Sequence, residues 1–164
     1  MGVREFEMFH GIVLTKLLRS DRPITLRMIE TRPAEAWSAY TVNDELDLFI
    51  KHSTAHRTIT RAKDARSWAF VFSANQLRQM AASCRDRQVY VALVGGGRDI
   101  KDDIMQVCLL EPHEWECLID KSSTRPQTVT IRYVPGKSLR VFKGRKVKFK
   151  VPQNSLDNWD VPGS

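Results

Sequence analysis

Between Lys121 and Leu156 the chain holds ten basic residues and no acid, set on an apolar/polar alternation of period two. Thr128 to Val134 places Val129, Ile131 and Tyr133 against Thr128, Thr130 and Arg132. Leu139 to Phe142 follows, and Val147-Lys148-Phe149-Lys150-Val151 alternates apolar with basic. Successive side chains of a strand point to opposite faces, so this spacing predicts strands with one packed face and one cationic face. Pro135-Gly136 has the residue order of a type II turn and Lys143-Gly144 marks a second turn, which makes the segment an antiparallel meander. On this alternation Tyr133, Phe142 and Phe149 face the core.

The preceding residues read as a mixed α/β domain. Phe6, Phe9, Val13 and Leu17 recur at helical spacing and predict an amphipathic helix over about 5–19. Strands are expected at 24–29 and 38–42, with Asn43-Asp44 as the turn and 45–51 pairing back as a hairpin. His52 to Arg66 carries Arg57, Arg61, Lys63 and Arg66 against one acid, Asp64, and reads as a basic loop. Trp68, Phe70 and Phe72 alternate in a further strand. Ser73 and Gln76 have the spacing of a capping box, which starts a helix carrying Leu77, Met80, Ala81 and Cys84 on one face. Val89 to Val94 reads as a buried strand, Ile104 to Leu110 as another, and Pro112 suits the first position of a short helix with Trp115, Leu118 and Ile119 inward. The fold class is therefore α/β (α+β mixed): a central sheet with helices packed on it, then the basic hairpins. One domain is expected over 1–151, its core at about 5–120 and its basic meander at about 121–151, with a weakly ordered tail at 152–164 except where Leu156 or Trp159 docks.

Charge sharpens this division. The formal net charge is +7, yet residues 1–120 carry 16 basic and 17 acidic side chains, so the excess lies wholly in the meander. A concentrated field of one sign costs self-repulsion and attracts polyanions. The competing explanation is a lysine-rich edge that discourages aggregation between strands. No apolar run approaches a membrane span, and the acidic start Arg4-Glu5-Phe6-Glu7 lacks the basic region of a secretory signal, so the expectation is a cytoplasmic protein with no membrane partner. Cys84, Cys108 and Cys117 form no C-x-x-C pair and read as small buried hydrophobes.

Several catalytic patterns are absent or incomplete. Gly95-Gly96-Gly97 lacks the G-x-G-x-x-G spacing and is followed by acids at Asp99, Asp102 and Asp103, so it reads as a turn rather than a phosphate cradle. His52 and His56 form the one close histidine pair and lack further ligands of a zinc site. No G-x-S-x-G elbow is present.

One constellation carries chemistry. Glu45, Asp47, Phe49 and Lys51 lie at period-two spacing on one strand face, with Asp44 at its head. Carboxylates beside a lysine can hold Mg²⁺ and lower the pKa of a metal-bound water. The order helix, three strands, helix, strand over about residues 5–94 resembles the αβββαβ core of the restriction-endonuclease-like PD-(D/E)XK nucleases. That resemblance implies a metal-binding acid, for which Asp44 is nearest, and an acid-x-Lys pair, in which Lys51 matches the lysine. Phe49 stands where the second acid belongs, so Asp47 or Glu30 would have to substitute.

The leading functional expectation is a non-catalytic nucleic-acid-binding domain that contacts mostly the backbone and needs no cofactor. Its contact residues are Arg57, Arg61, Lys63, Arg132, Lys137, Arg140, Lys143, Arg145, Lys146, Lys148 and Lys150. The alternatives are a Mg²⁺-dependent nuclease built on Asp44, Asp47 and Lys51, and a protein-interaction module for an acidic partner.

Overall fold

A computed structural model describes residues 2–54, 56–58, 64–97, 105–153 and 155–162, with backbone alone for 2–4 and 56–58. Helix α1 (Gly2–Leu18) leads into strand β1 (Leu26–Arg32), a 3-10 turn (Pro33–Glu35), β2 (Trp37–Val42) and β3 (Leu46–Ser53). Then come β4 (His56–Thr58), β5 (Arg66–Phe72), α2 (Ala74–Ser83), β6 (Gln88–Gly95), β7 (Gln106–Leu110) and α3 (Pro112–Leu118). Strands β8 (Gln127–Tyr133), β9 (Leu139–Lys143) and β10 (Lys146–Val151) complete the order. The expected α+β class holds, with one revision. There are two sheets, ordered β1-β2-β3-β6-β7 and β10-β9-β8-β5-β4, rather than one central sheet with an appended meander.

The revision follows from side-chain patterning. β3 and β6 pair in parallel at the centre of the first sheet and are buried almost throughout, as strands covered on both faces must be. β5 instead alternates Trp68, Phe70 and Phe72 inward with exposed Ala69 and Val71 outward, the signature of a one-sided strand, and it joins the meander through β8. Part of the expected basic loop, His56–Thr58, is a short strand on the outer edge of β5. The start of the expected strand at Ile104 lies outside the described residues.

One face of the first sheet packs against α1 through Phe9, Val13 and Leu17, which meet Tyr40, Leu48, Ile50, Tyr90, Ala92 and Val94. The tail extends this layer: Leu156 and Val161 are buried in it and the Trp159 ring packs on Tyr90 at a tilt of 42°, centroids 4.9 Å apart. The opposite face packs against the second sheet, α2 and α3, with Trp37, Phe49, Val91 and Leu93 meeting Trp68, Phe70, Phe72, Leu77, Trp115, Ile131 and Val141. Three indole N–H groups enter this core and each finds an acceptor: Trp37 on Gln79 Oε1 at 2.7 Å, Trp68 on the Gly96 carbonyl at 3.0 Å and Trp115 on the Val89 carbonyl at 2.8 Å.

Local signals behave as their chemistry requires. The Ser73 hydroxyl accepts from the Gln76 N–H at 3.2 Å while Gln76 Oε1 accepts from the Ser73 N–H at 3.1 Å, so the capping box is reciprocal. Asn43 and Asp44 both take φ 53°, a left-handed backbone that Asn and Asp tolerate, and they close the β2–β3 hairpin. Of the three cysteines only Cys108 is fully buried; Cys117 faces solvent on α3, contrary to the reading of all three as buried.

The glycines at the end of β6 serve packing. A Cβ on Gly95 would overlap the Trp68 ring, and one on Gly96 would overlap Phe9, so the two residues let the layers on both faces close against the sheet. Gly95→Ala and Gly96→Ala should each lower stability in urea unfolding by about 1–3 kcal/mol, the usual cost of overpacking. Gly11→Ala, in α1 with open space around its Cα, should raise it by about 0.5–1 kcal/mol. Equal effects at Gly11 and Gly96 would contradict this packing role.

Candidate functional site

Two regions bear on function: the carboxylate/lysine face of β3 and the outer face of the second sheet. On β3 the register places Lys51 opposite Trp37, Phe49 opposite Ala39 and Asp47 opposite Thr41. All three β3 residues point into the core between the sheets, where Phe49 packs on Trp37 with ring centroids 5.0 Å apart. Asp47 and Lys51 therefore sit at opposite ends of one strand face, about 13 Å apart at ~3.3 Å per residue, with a phenyl ring between them.

Each of these polar groups is already engaged. Asp47 is 2% exposed, accepts from the Thr41 hydroxyl at 2.9 Å and has the Arg87 guanidinium 3.8 Å away. Lys51 is 7% exposed; its ammonium donates to Gln76 Oε1 at 3.1 Å and to the Glu35 carbonyl at 3.3 Å, and lies 5.7 Å from the ring centres of both Trp37 and Phe72. Burial lowers the Lys51 pKa to about 8 against a small opposing pull from Glu35. Asp44 lies outside this core, solvent-exposed on the β2–β3 turn and 3.9 Å from Arg27. Glu30 is held by Arg32 and Gln79. The expected convergence of Asp44, Asp47 and Lys51 does not occur, because the strand alternation that aligns Asp47 with Lys51 also buries Phe49 between them. Among the described residues no group of three His, Cys, Asp or Glu side chains is placed to hold a metal.

A second buried polar chain escaped the sequence reading. His10 Nδ1 lies 2.6 Å from Ser38 Oγ and His10 Nε2 lies 2.8 Å from His52 Nδ1, tying α1 to β2 and β3. Phe6 stacks on His10 and Phe9 on His52, with centroids 4.1 and 5.2 Å apart. Burial, then the neighbouring His52 and Lys51 charges, lowers the His10 pKa to about 3; burial and Lys51 lower that of His52 to about 4. Both rings are neutral at pH 7, and each then has one donor and one acceptor nitrogen, which is what a linear hydroxyl–imidazole–imidazole chain requires. The sequence signal is weak: His10 falls on the apolar face of α1, and His52 precedes His56 in a stretch that reads as a loop.

The outer face of the second sheet is built differently. Register places Ser67, Arg132, Arg140 and Lys150 directly opposite one another on β5, β8, β9 and β10, and the backbone of Arg57 on β4 continues the row. Adjacent strands lie about 4.8 Å apart, so the five-strand row spans roughly 19 Å. The five strands contain no Asp or Glu. Among the described residues none of Arg132, Lys137, Arg140, Lys143, Arg145, Lys146, Lys148 and Lys150 forms an ion pair, whereas Lys16, Arg22, Arg27, Arg32, Arg87 and Lys121 elsewhere all do.

The expected contact residues separate into groups. Arg132, Arg140 and Lys150 form the row. Lys148 sits at a β-bulge between Val147 and Phe149, and Lys137 is exposed in the β8–β9 turn. Arg145 is exposed in the β9–β10 turn. Lys143 and Lys146 are directly opposite each other on the core-side register, and Lys143 borders a cleft with Glu116 and Asp120, so these two lie off the row. Arg61, Lys63 and the side chain of Arg57 lie outside the described residues. Phe142 corrects another expectation. It shares the outward face with Arg140 and lies beneath the Arg132 guanidinium, 4.8 Å from ring centre to Cζ, while Tyr133 and Phe149 pack toward the core as expected. The bulge sends Val147 outward opposite Phe142, leaving it 47% exposed, and returns Phe149 inward.

The buried bases set a pH response. Because His10 and His52 titrate lower folded than unfolded, their contribution is complete above about pH 6.5 and is lost as pH falls through about 4 and then 3. Urea unfolding midpoints should decline from pH 7 to pH 4, and His10→Leu, though less stable at pH 7, should show a flatter decline. An equally steep decline in that variant would remove the histidines from the account. Lys51→Met should be neutral or stabilising at pH 7, since it removes a buried charge while keeping the volume. Comparison of the chain with protein-family models, with curated proteins and with solved structures gives no match in any of the three.

Proposed function

We propose that the protein binds nucleic acid without cutting it, through phosphate-backbone contacts to the outer face of the second sheet. The observation that carries this reading is the row Arg132, Arg140 and Lys150. Like charges placed directly opposite on neighbouring strands destabilise a sheet by about 0.2–1 kcal/mol per pair. Here two such pairs adjoin with no acid on any strand of the sheet. Edge protection accounts for lysines on β10, which is an edge strand, but not for arginines on β8 and β9, which are interior. A polyphosphate ligand supplies the missing counter-charge. Among the described residues the Nε of Arg132 is buried with no hydrogen-bond partner, and the guanidinium is held over the Phe142 ring rather than by a carboxylate.

The non-catalytic part of the reading is supported by the state of the β3 face. A general base or metal ligand must reach the reacting atoms. Asp47 and Lys51 are instead enclosed by the second sheet and α2 and held by Thr41, Arg87 and Gln76.

Replacement of Arg132, Arg140 and Lys150 together by Gln should abolish most binding and flatten the slope of log K against log salt by about 2.7 for a duplex, at ~0.9 per lost phosphate contact. Far-UV circular dichroism should be unchanged. An unchanged affinity and slope would sink the proposal. Metal-dependent cleavage by the wild type that disappears in both Asp47→Asn and Lys51→Ala would replace it with the nuclease reading.

A further inference from the structure

We infer that the ligand of the second sheet's outer face is an A-form, double-stranded RNA, held across its minor groove. The inference rests on the nucleic-acid reading above and narrows it by what the face lacks and what it adds. All fourteen Phe, Trp and Tyr residues of the chain lie within the described residues, and none of them is exposed. Phe142, the one aromatic ring on the outer face, is sealed beneath Arg132. Proteins that hold single strands stack successive bases on aromatic rings. This face offers no such platform, so an unpaired strand gains little beyond its backbone charge.

Among the described residues the face also carries no groove reader. B-form DNA is read in its major groove by a helix or a projecting two-stranded ribbon, and its minor groove is only about 6 Å wide. Among the described residues the outer surface is sheet alone: α2 and α3 pack on the inner side, and β9–β10 lies within the sheet beside β8. An A-form helix presents a wide, shallow minor groove lined by 2′-hydroxyls and flanked by phosphates, a surface that a flat face can approach.

The side chains fit that description. On β8, Thr128, Thr130 and Arg132 share the outer face at steps of about 6.8 Å, and Ser67 stands opposite Arg132. Ala69, Val71 and Val147 complete a low, uncharged floor next to the cation row. Hydroxyls that both donate and accept suit the 2′-OH, and the Arg132, Arg140 and Lys150 row suits the adjoining phosphates.

The test is fluorescence anisotropy of the full chain with an RNA duplex of about 20 base pairs, a DNA duplex of the same sequence and the single-stranded RNA, at one salt concentration. The RNA duplex should bind roughly tenfold more tightly than either competitor. Thr128→Val with Thr130→Val, which keeps shape and β-branching, should lower affinity for the RNA duplex several-fold and leave the DNA duplex unchanged. Equal affinity for RNA and DNA duplexes, or preference for the single strand, would overturn this inference while leaving the nucleic-acid reading standing. Absence of binding to all three would overturn both.

Discussion

The parallel pairing of β3 with β6 is the constraint on which the other layers depend. Eight residue pairs, from Leu46 opposite Gln88 to Ser53 opposite Gly95, make a central ribbon that is buried on both faces. Such a ribbon is stable only when covered twice, and the chain supplies two different covers: α1 with the C-terminal tail on one side, the second sheet with α2 and α3 on the other. The path from β3 to β6 passes through β4, β5 and α2, so the crossover that joins the parallel pair carries two strands of the second sheet. Gly95 and Gly96 then set how closely the two covers approach.

This burial decides what the polar residues of β3 can do. Asp47, Lys51 and His52 lie on a strand with almost no access to solvent, so each must be satisfied within the protein. Thr41 and Arg87 serve Asp47, Gln76 and the Glu35 carbonyl serve Lys51, and His10 serves His52. The same strand that resembles a nuclease motif in sequence is thereby a girder in the fold. The cations of β8, β9 and β10 are in the opposite condition: among the described residues they form no ion pair, on a sheet whose inner face already meets its packing needs. Function in the proposed reading sits on this second sheet, away from the most buried part of the molecule.

Much of this architecture was legible in the chain, for identifiable reasons. Strand and helix positions followed from periodicity and turn chemistry, as with the Ser73/Gln76 capping box and the turn glycines Gly136 and Gly144, which take positive φ. The division into two sheets was encoded in the contrast between the one-sided Trp68-Ala69-Phe70-Val71-Phe72 and the wholly apolar Val89–Val94, but strand order depends on contacts distant in sequence. Phe142 and Val147 face outward, against the alternation, for a local reason: consecutive apolar residues in Val141-Phe142 and a bulge after Val147 break the period of two. The His10–His52 bond spans 42 residues, and nothing in its local sequence announces it. The excess charge was evident, whereas its concentration into a row across strands required the register.

In the proposed reading the second sheet gives up stability to keep cations aligned for a polyanion. Arg140 stands between Arg132 and Lys150 and so takes part in both like-charge pairs. The most direct measurement is therefore Arg140→Thr, assayed side by side for urea stability and for nucleic-acid affinity at low and high salt. Thr introduces a β-branched side chain suited to an interior strand and removes both repulsions, so stability should rise by about 0.5–2 kcal/mol at low salt while affinity falls; the part of the gain owed to repulsion should shrink as salt screens the charges. A variant that is less stable, or one that binds nucleic acid as well as the wild type, would contradict the claim.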